Sequence, residues 1–276
     1  MIGKAEINRR AKAEGLRFDQ IEKDHVILWI LKALAQPELK PKGWVFKGGT
    51  CLRHCFYTGY RFSEDLDYSC REDSSGLYKS RDLLSDVSRW IQVNALLQLS
   101  VKEARTIEGD VQIEIPVEYS RGSARRQGLP EIKIHLTFDE PILMEPATRS
   151  VTPLYSDLSG FTVATYTKEE ILAEKMRALL QQQTKWPRPR DLYDLWFILC
   201  SEGEKFEWEK LCGLFAAKCR ARKLDPNPTL LVSDVLKNTN ERVWSPQLNA
   251  VMATVPRFAD VWQDWVSFCK TRLWIR

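Results

Sequence analysis

Two carboxylates stand one residue apart at Asp65 and Asp67, downstream of a glycine pair at Gly48-Gly49. On a strand, side chains at i and i+2 share a face. Asp65 and Asp67 therefore aim together, with Leu66 turned toward the core. Paired carboxylates repel unless a cation lies between them, and a hard divalent ion with oxygen ligands fits that need. A glycine turn running into a helix offers close backbone approach and free N–H groups, which suit a triphosphate. A phosphate turn beside a metal pair is the layout of a nucleotidyl-transfer site, and a lone D-x-D or a lone Gly-Gly would not say as much.

The elements that must hold these residues can be read locally. Trp44 to Phe46 is a short apolar strand, a helix opens at Thr50, a loop passes through Gly59, and a second strand carries the D-x-D. Upstream, Ile21 to Leu34 has helical apolar spacing, with Asp19 as its expected N-cap. Downstream, the reading expects a helix over Lys79 to Leu99 with Leu96 on its buried side. Strands follow at Val101 to Ile107, Val111 to Ser120 and Glu131 to Phe138, then a connection over Pro141 to Gly160 and a last strand near Thr162 to Thr165. From the capping pair Thr167 and Glu170 onward only helices are expected, near 168–182, 191–200, 207–223, 228–240, 246–252 and 257–273. The fold class is α+β: a mixed sheet with flanking helices over 1–165, followed by an all-helical domain over 166–276.

The stretch F-K-G-G-T-x-L-R followed by R-F-S-E-D-L-D resembles the first motif of the DNA polymerase β-type nucleotidyltransferases, and more narrowly the AbiEii/AbiGii toxin family. A second block, K-x-x-A-L then R-P-R-D-L-Y-D-L-W, is similar to that family's second motif. The resemblance implies that Lys175 and Asp191 are active-site residues contributed by the helical domain, with Lys175 on the triphosphate. It also implies nucleotide contacts at Lys47, Gly48, Gly49, Thr50, Arg53 and Ser63, and a metal, Mg2+ or Mn2+, on Asp65 and Asp67. Where the superfamily places a third carboxylate the chain has His135, with Glu114, Glu131 and Asp139 nearby in sequence. Lys23 and Asp24, in the family-like I-E-K-D, read as helix-surface charges. Asp194 reads as a cap or salt-bridge partner. Because Ala suits a helix interior, Lys175→Ala is expected to leave the fold alone.

Composition narrows the setting. The chain has 276 residues, 28% charged, and a net charge of +4, too mild to prove a nucleic-acid partner. Basic clusters are more telling: Arg121, Arg125 and Arg126 in one loop, Lys185, Arg188 and Arg190 in another, and the run from Lys218 to Lys223. These are candidates for phosphate contacts with an RNA acceptor. Seven cysteines include no C-x-x-C pair, so Cys51 and Cys55 read as buried thiols rather than zinc ligands. No apolar run reaches membrane length and the N-terminus lacks a signal-peptide core, so a cytoplasmic protein is expected.

The expected activity is transfer of a nucleoside monophosphate from NTP to an acceptor. By the resemblance the acceptor is RNA, a tRNA end being one candidate, in a toxin–antitoxin or abortive phage infection system with a cognate antitoxin. Two other readings stay open: an NTP- or GTP-binding protein without transfer, kept alive by the missing third carboxylate, and a small-molecule transferase of the antibiotic-modifying kind.

Overall fold

The computed structural model describes residues 2–71, 77–107, 112–120, 128–182, 185–202 and 206–273. The chain forms two compact units, Met1–Tyr166 and Thr167–Arg276. The first opens with helices α1 (Lys4–Glu14) and α2 (Phe18–Leu34). It continues through β1 (Trp44–Lys47), α3 (Gly48–Cys51, running into a wider π turn over Leu52–Phe56), β2 (Asp65–Cys70) and α4 (Leu77–Ala95). Strands β3 (Gln98–Val101), β4 (Arg105–Ile107), β5 (Gln112–Ser120), β6 (Glu131–Thr137), β7 (Ala147–Val151) and β8 (Phe161–Thr165) complete it. Their order is β3-β5-β6-β2-β1-β8-β7, with β4 also on β5. The sheet is mixed: β2 runs parallel to β6 and β1 parallel to β8, whereas β1–β2, β5–β6 and β7–β8 are antiparallel. The D-x-D strand is thus an interior one, flanked by β6 and β1.

Alternation on β2, β5 and β6 buries Leu66, Ile113, Ile115, Ile132, Ile134 and Leu136 and leaves the intervening polar residues on the opposite face. α2 is buried almost all round, from Ile21 to Leu34. Its start differs from the expected Asp19 cap: the helix begins at Phe18, Gln20 Oε1 accepts from the Arg17 N–H at 3.0 Å, and Asp19 pairs with the Arg17 guanidinium. α4 ends earlier than expected because Leu96 takes a left-handed conformation (φ 55°) and is 71% exposed rather than buried, which frees Gln98–Val101 to join the sheet. β7 falls within the expected connection over Pro141 to Gly160, and its Thr148, Arg149 and Ser150 are all exposed on an edge strand, without the apolar alternation of the interior strands.

The second unit comprises α5 (Lys168–Gln182), α6 (Pro189–Glu202), α7 (Trp208–Ala221), a 3-10 turn at Pro228–Val232, α8 (Asp234–Asn249) and α9 (Phe258–Phe268). Thr167 Oγ1 accepts from the Glu170 N–H at 3.3 Å, as the capping pair requires, while the Glu170 carboxylate meets Lys218 at 2.9 Å. Both side chains are fully buried, so Lys218 is a core ion-pair partner and not a surface cation for RNA. The expected helices at 228–240 and 246–252 are instead a short turn and one helix, capped by Ser233 Oγ on the Leu236 N–H and continuing through Pro246. Trp244 and Trp265 are core residues, and Trp262 stacks on Phe258; Trp274 lies outside the described residues.

Candidate active site

β1 ends at Lys47 and the chain turns at once into α3. Gly48 has φ +80°, a region other residues adopt only with strain. A Cβ there would also press on the Asp67 carboxylate, with its Cγ at 3.1 Å. At Gly49 a Cβ would meet Ser63 Oγ at 2.8 Å and Arg61 Nη2 at 2.9 Å. The two glycines therefore let backbone lie against a carboxylate on one side and a hydroxyl and guanidinium on the other. Thr50 Oγ1 donates to the Asp65 carbonyl at 2.5 Å and is fully buried, which ties the turn to the D-x-D strand.

Leu66 is fully buried and Asp65 and Asp67 are only partly covered, as same-face carboxylates require. Register then builds a row across the sheet: Arg105 opposite Glu114, Glu114 opposite His135, His135 opposite Asp67, and Asp67 opposite Lys47. Directly opposed side chains share a face, so charge alternates in sign across five strands. His135 Nδ1 lies 3.0 Å from Asp67 Oδ1 and Nε2 lies 3.2 Å from Glu114 Oε2. Glu114 also receives Lys133 at 2.9 Å. Each imidazole nitrogen faces a carboxylate, so the doubly protonated ring is favoured. Burial opposes that charge, but Asp67, Asp65 and Glu114 outweigh it and raise His135 to about 9. Asp65 is pushed up to about 6 by burial and by Asp67, with His135 opposing. A carboxylate one strand over, Glu114, thus reaches Asp67 through the histidine.

Lys23 and Asp24 are more than helix-surface charges. Asp24 is 2% exposed and accepts from Arg53 Nε at 3.0 Å and from the Tyr155 hydroxyl at 2.7 Å. Arg53 further donates to Glu14 and, by a short bond, to the Tyr60 carbonyl. Burial works against ionisation of Asp24, but His54 and Arg53 hold its carboxyl well below the usual range. Lys23 pairs with Glu64 at 2.9 Å, next to Asp65. Adjacent residues of α2 therefore grip both flanks of the loop between the glycine turn and the D-x-D. An apolar helix with two acids, Glu22 and Asp24, inside its buried stretch was the available signal. Lys47 is buried with its ammonium 5.6 Å from the Tyr166 ring centre.

In the second unit, Lys175 is buried on α5 with its ammonium 2.6 Å from Asp191 Oδ1 and 2.8 Å from Asp194 Oδ2, both on α6. Arg188 Nε closes on the other Asp191 oxygen. Burial alone would raise the Asp191 pKa; Arg188 and Lys175 more than offset it and hold the carboxyl well below its usual range. Asp194 is fully buried as a partner of Lys175. Lys185 and Arg188 are exposed, Arg190 is half-buried, and Arg121, Arg125 and Arg126 lie outside the described residues.

Among the described residues, no three His, Cys, Asp or Glu side chains gather as a metal cluster, and the cysteines are free thiols. No helix among them is long and apolar enough to cross a membrane.

Known proteins bear on this geometry. The chain is similar in structure to MenT4, a nucleotidyltransferase toxin from Mycobacterium tuberculosis H37Rv (TM-score 0.70, 18% identity, 98% of this chain and 90% of that one). It is also similar to JHP933 from Helicobacter pylori (TM-score 0.57, 20% identity, 91% and 90%). At these identities the likeness shows the fold. No curated protein matches the chain. The family model for the nucleotidyl transferase AbiEii toxin of type IV toxin–antitoxin systems matches residues 29–267, which span both motif blocks. The chain belongs to the AbiEii nucleotidyltransferase toxin family.

Proposed function

We propose that the protein transfers a nucleoside monophosphate from NTP to an RNA hydroxyl, a tRNA end being the leading candidate, in a divalent-metal-dependent reaction that its cognate antitoxin restrains. One observation carries the reading: Asp65 and Asp67 share a face beside a glycine turn in which Gly48, lacking a side chain, lets backbone approach the Asp67 carboxylate. The donor set fits a hard cation, because two ionised carboxylates on one face raise the energy of each other and a divalent ion relieves it. With two protein carboxylates, the rest of the shell falls to triphosphate oxygens and water, as Mg2+ and Mn2+ accept. When bound there, such an ion supplies neutralisation of triphosphate charge.

The chain's own residues do the rest. N–H groups of the Gly48-Gly49 turn, with Ser63 and Lys47, bind phosphate oxygens, while Thr50 and Arg53 hold the turn in place. His135 fixes the orientation of Asp67 without adding another anion. Lys175 offsets charge on the triphosphate. Asp191, strongly acidic with one cation on each oxygen, has acceptor capacity left to orient the acceptor hydroxyl rather than acting as a strong base. The acceptor oxygen bonds the α-phosphorus, the bond to the bridging oxygen breaks, pyrophosphate leaves and the hydroxyl proton passes to solvent.

The test is incubation with each α-labelled NTP in turn, Mg2+ or Mn2+, and total cellular RNA. Label should enter RNA from at least one nucleotide and disappear with chelator. Stoichiometric NTP binding without incorporation would support a binding protein instead.

A further inference from the structure

We infer that the segment Lys185–Arg190 is a stacking platform for an unpaired base at the end of the RNA acceptor, with Trp186 as its surface. The inference rests on the RNA-acceptor reading above. Trp186 is 71% exposed, while other tryptophans of this unit such as Trp244 and Trp265 are core residues. An indole turned out to water exposes apolar area at a cost, so its place in this segment calls for a ligand with a flat π face.

The segment is built to present it. The Lys185 and Trp186 N–H groups both donate to the Gln182 carbonyl at 2.9 Å, closing the end of α5. Pro187 and Pro189 fix backbone torsions on either side of Arg188. The Arg188 N–H donates at 2.9 Å to Oδ1 of Asn240, which α8 buries. A ring on so constrained a loop loses little freedom on binding. Its neighbours are cations: Lys185 and Arg188 are exposed, and Arg188 also reaches Asp191. Exposed aromatic and flanking cations are the two components that single-stranded nucleic acid uses, stacking for the base and charge for the phosphates. The carboxylate assigned to the acceptor hydroxyl, Asp191, lies five residues further along the chain, in the first turn of α6. Trp186 would therefore hold a base close in the chain to the group that orients the reacting hydroxyl. A protein partner would equally cover an indole, but the alternation of cations and prolines around it favours a polyanion.

The experiment measures binding and transfer with a short fluorescent RNA that ends in an unpaired 3′ overhang, and with its blunt-ended counterpart. The proteins are the wild type, Trp186→Ala and Trp186→Phe. Trp186→Ala should bind the overhang RNA roughly tenfold more weakly, with NTP affinity unchanged. Trp186→Phe should recover much of the loss, and the defect should persist at raised salt, where phosphate contacts fade. The blunt RNA should be insensitive to the substitution. Equal overhang binding by wild type and Trp186→Ala would overturn the inference alone and leave this face to a protein partner. Failure of the wild type to bind or label any RNA would overturn the acceptor reading with it.

Discussion

At the scale of single residues, the glycines and the buried lysine carry the most consequence. Gly48→Ala adds strain at positive φ and a methyl group against Asp67, so it should lower the thermal midpoint and abolish transfer. Retention of NTP binding by Gly48→Ala would mean that the turn does not carry the phosphates. Lys175→Ala is not the neutral helix substitution that propensity suggests. It leaves Asp194 buried without its cation, which costs about 3–5 kcal/mol. Adding Asp194→Asn should restore part of that stability but not activity. Thermal melts of the single and double variants check this, and additive melts would show that the pair is not coupled. Asp191 is kept acidic against its burial by Arg188 and Lys175. No reading along the chain shows which cations fold back onto a carboxylate.

The elements explain which parts of the site were legible. Strand, glycine turn, helix and D-x-D are contiguous, so period and turn chemistry sufficed to read Gly48, Gly49, Asp65 and Asp67 together. The row Glu114–His135–Asp67–Lys47 depends on β6 lying beside β2, a pairing across almost seventy residues that local pattern does not encode. His135 therefore looked like an unexplained departure until register supplied its two carboxylates. The same limit hid the brace from α2. Its apolar run was plain, yet the burial of Asp24 depends on Arg53 and Tyr155 arriving from elsewhere. Asp24→Asn keeps the shape and removes the charge that holds Arg53. The expected result is a thermal midpoint several degrees lower and a transfer rate that falls more than the stability loss explains. Lys23→Ala, at a partly exposed pair, should change stability by less than about 1 kcal/mol. If Asp24→Asn transferred normally, α2 would be a packing element only.

Across the whole molecule, the capping pair Thr167 and Glu170 opens a run of helices, and the chain forms units Met1–Tyr166 and Thr167–Arg276. The late helices were less legible: in place of separate helices at 228–240 and 246–252, α8 runs on through Pro246, where packing of Trp244 and Leu248 outweighs the lost hydrogen bond. Both units hold carboxylates with depressed pKa values: buried Asp24 and partly covered Asp157 in the first, buried Asp191 in the second. Asp157 is held down to about 2, where burial is outweighed by His25 and by the Ile2 N–H. Groups whose folded pKa is depressed stabilise the fold above their unfolded value and lose that contribution as pH falls through the folded one. These carboxylates should therefore make stability decline from about pH 4 toward pH 2, while His135, raised to about 9, adds stability that is full below its unfolded value and lost as pH rises through about 9. Urea midpoints at stepped pH measure it, and Asp157→Asn should flatten the lower part of the decline. A midpoint unchanged down to pH 2 would contradict these pairings.

The central claim is that the Asp65–Asp67 pair beside the glycine turn performs metal-dependent nucleotidyl transfer to RNA. It is tested most directly by comparing the wild type and Asp67→Asn for α-labelled NTP incorporation with Mg2+ at matched thermal midpoints. The account predicts labelled RNA from the wild type and none above background from Asp67→Asn. Near-full incorporation by Asp67→Asn would contradict it.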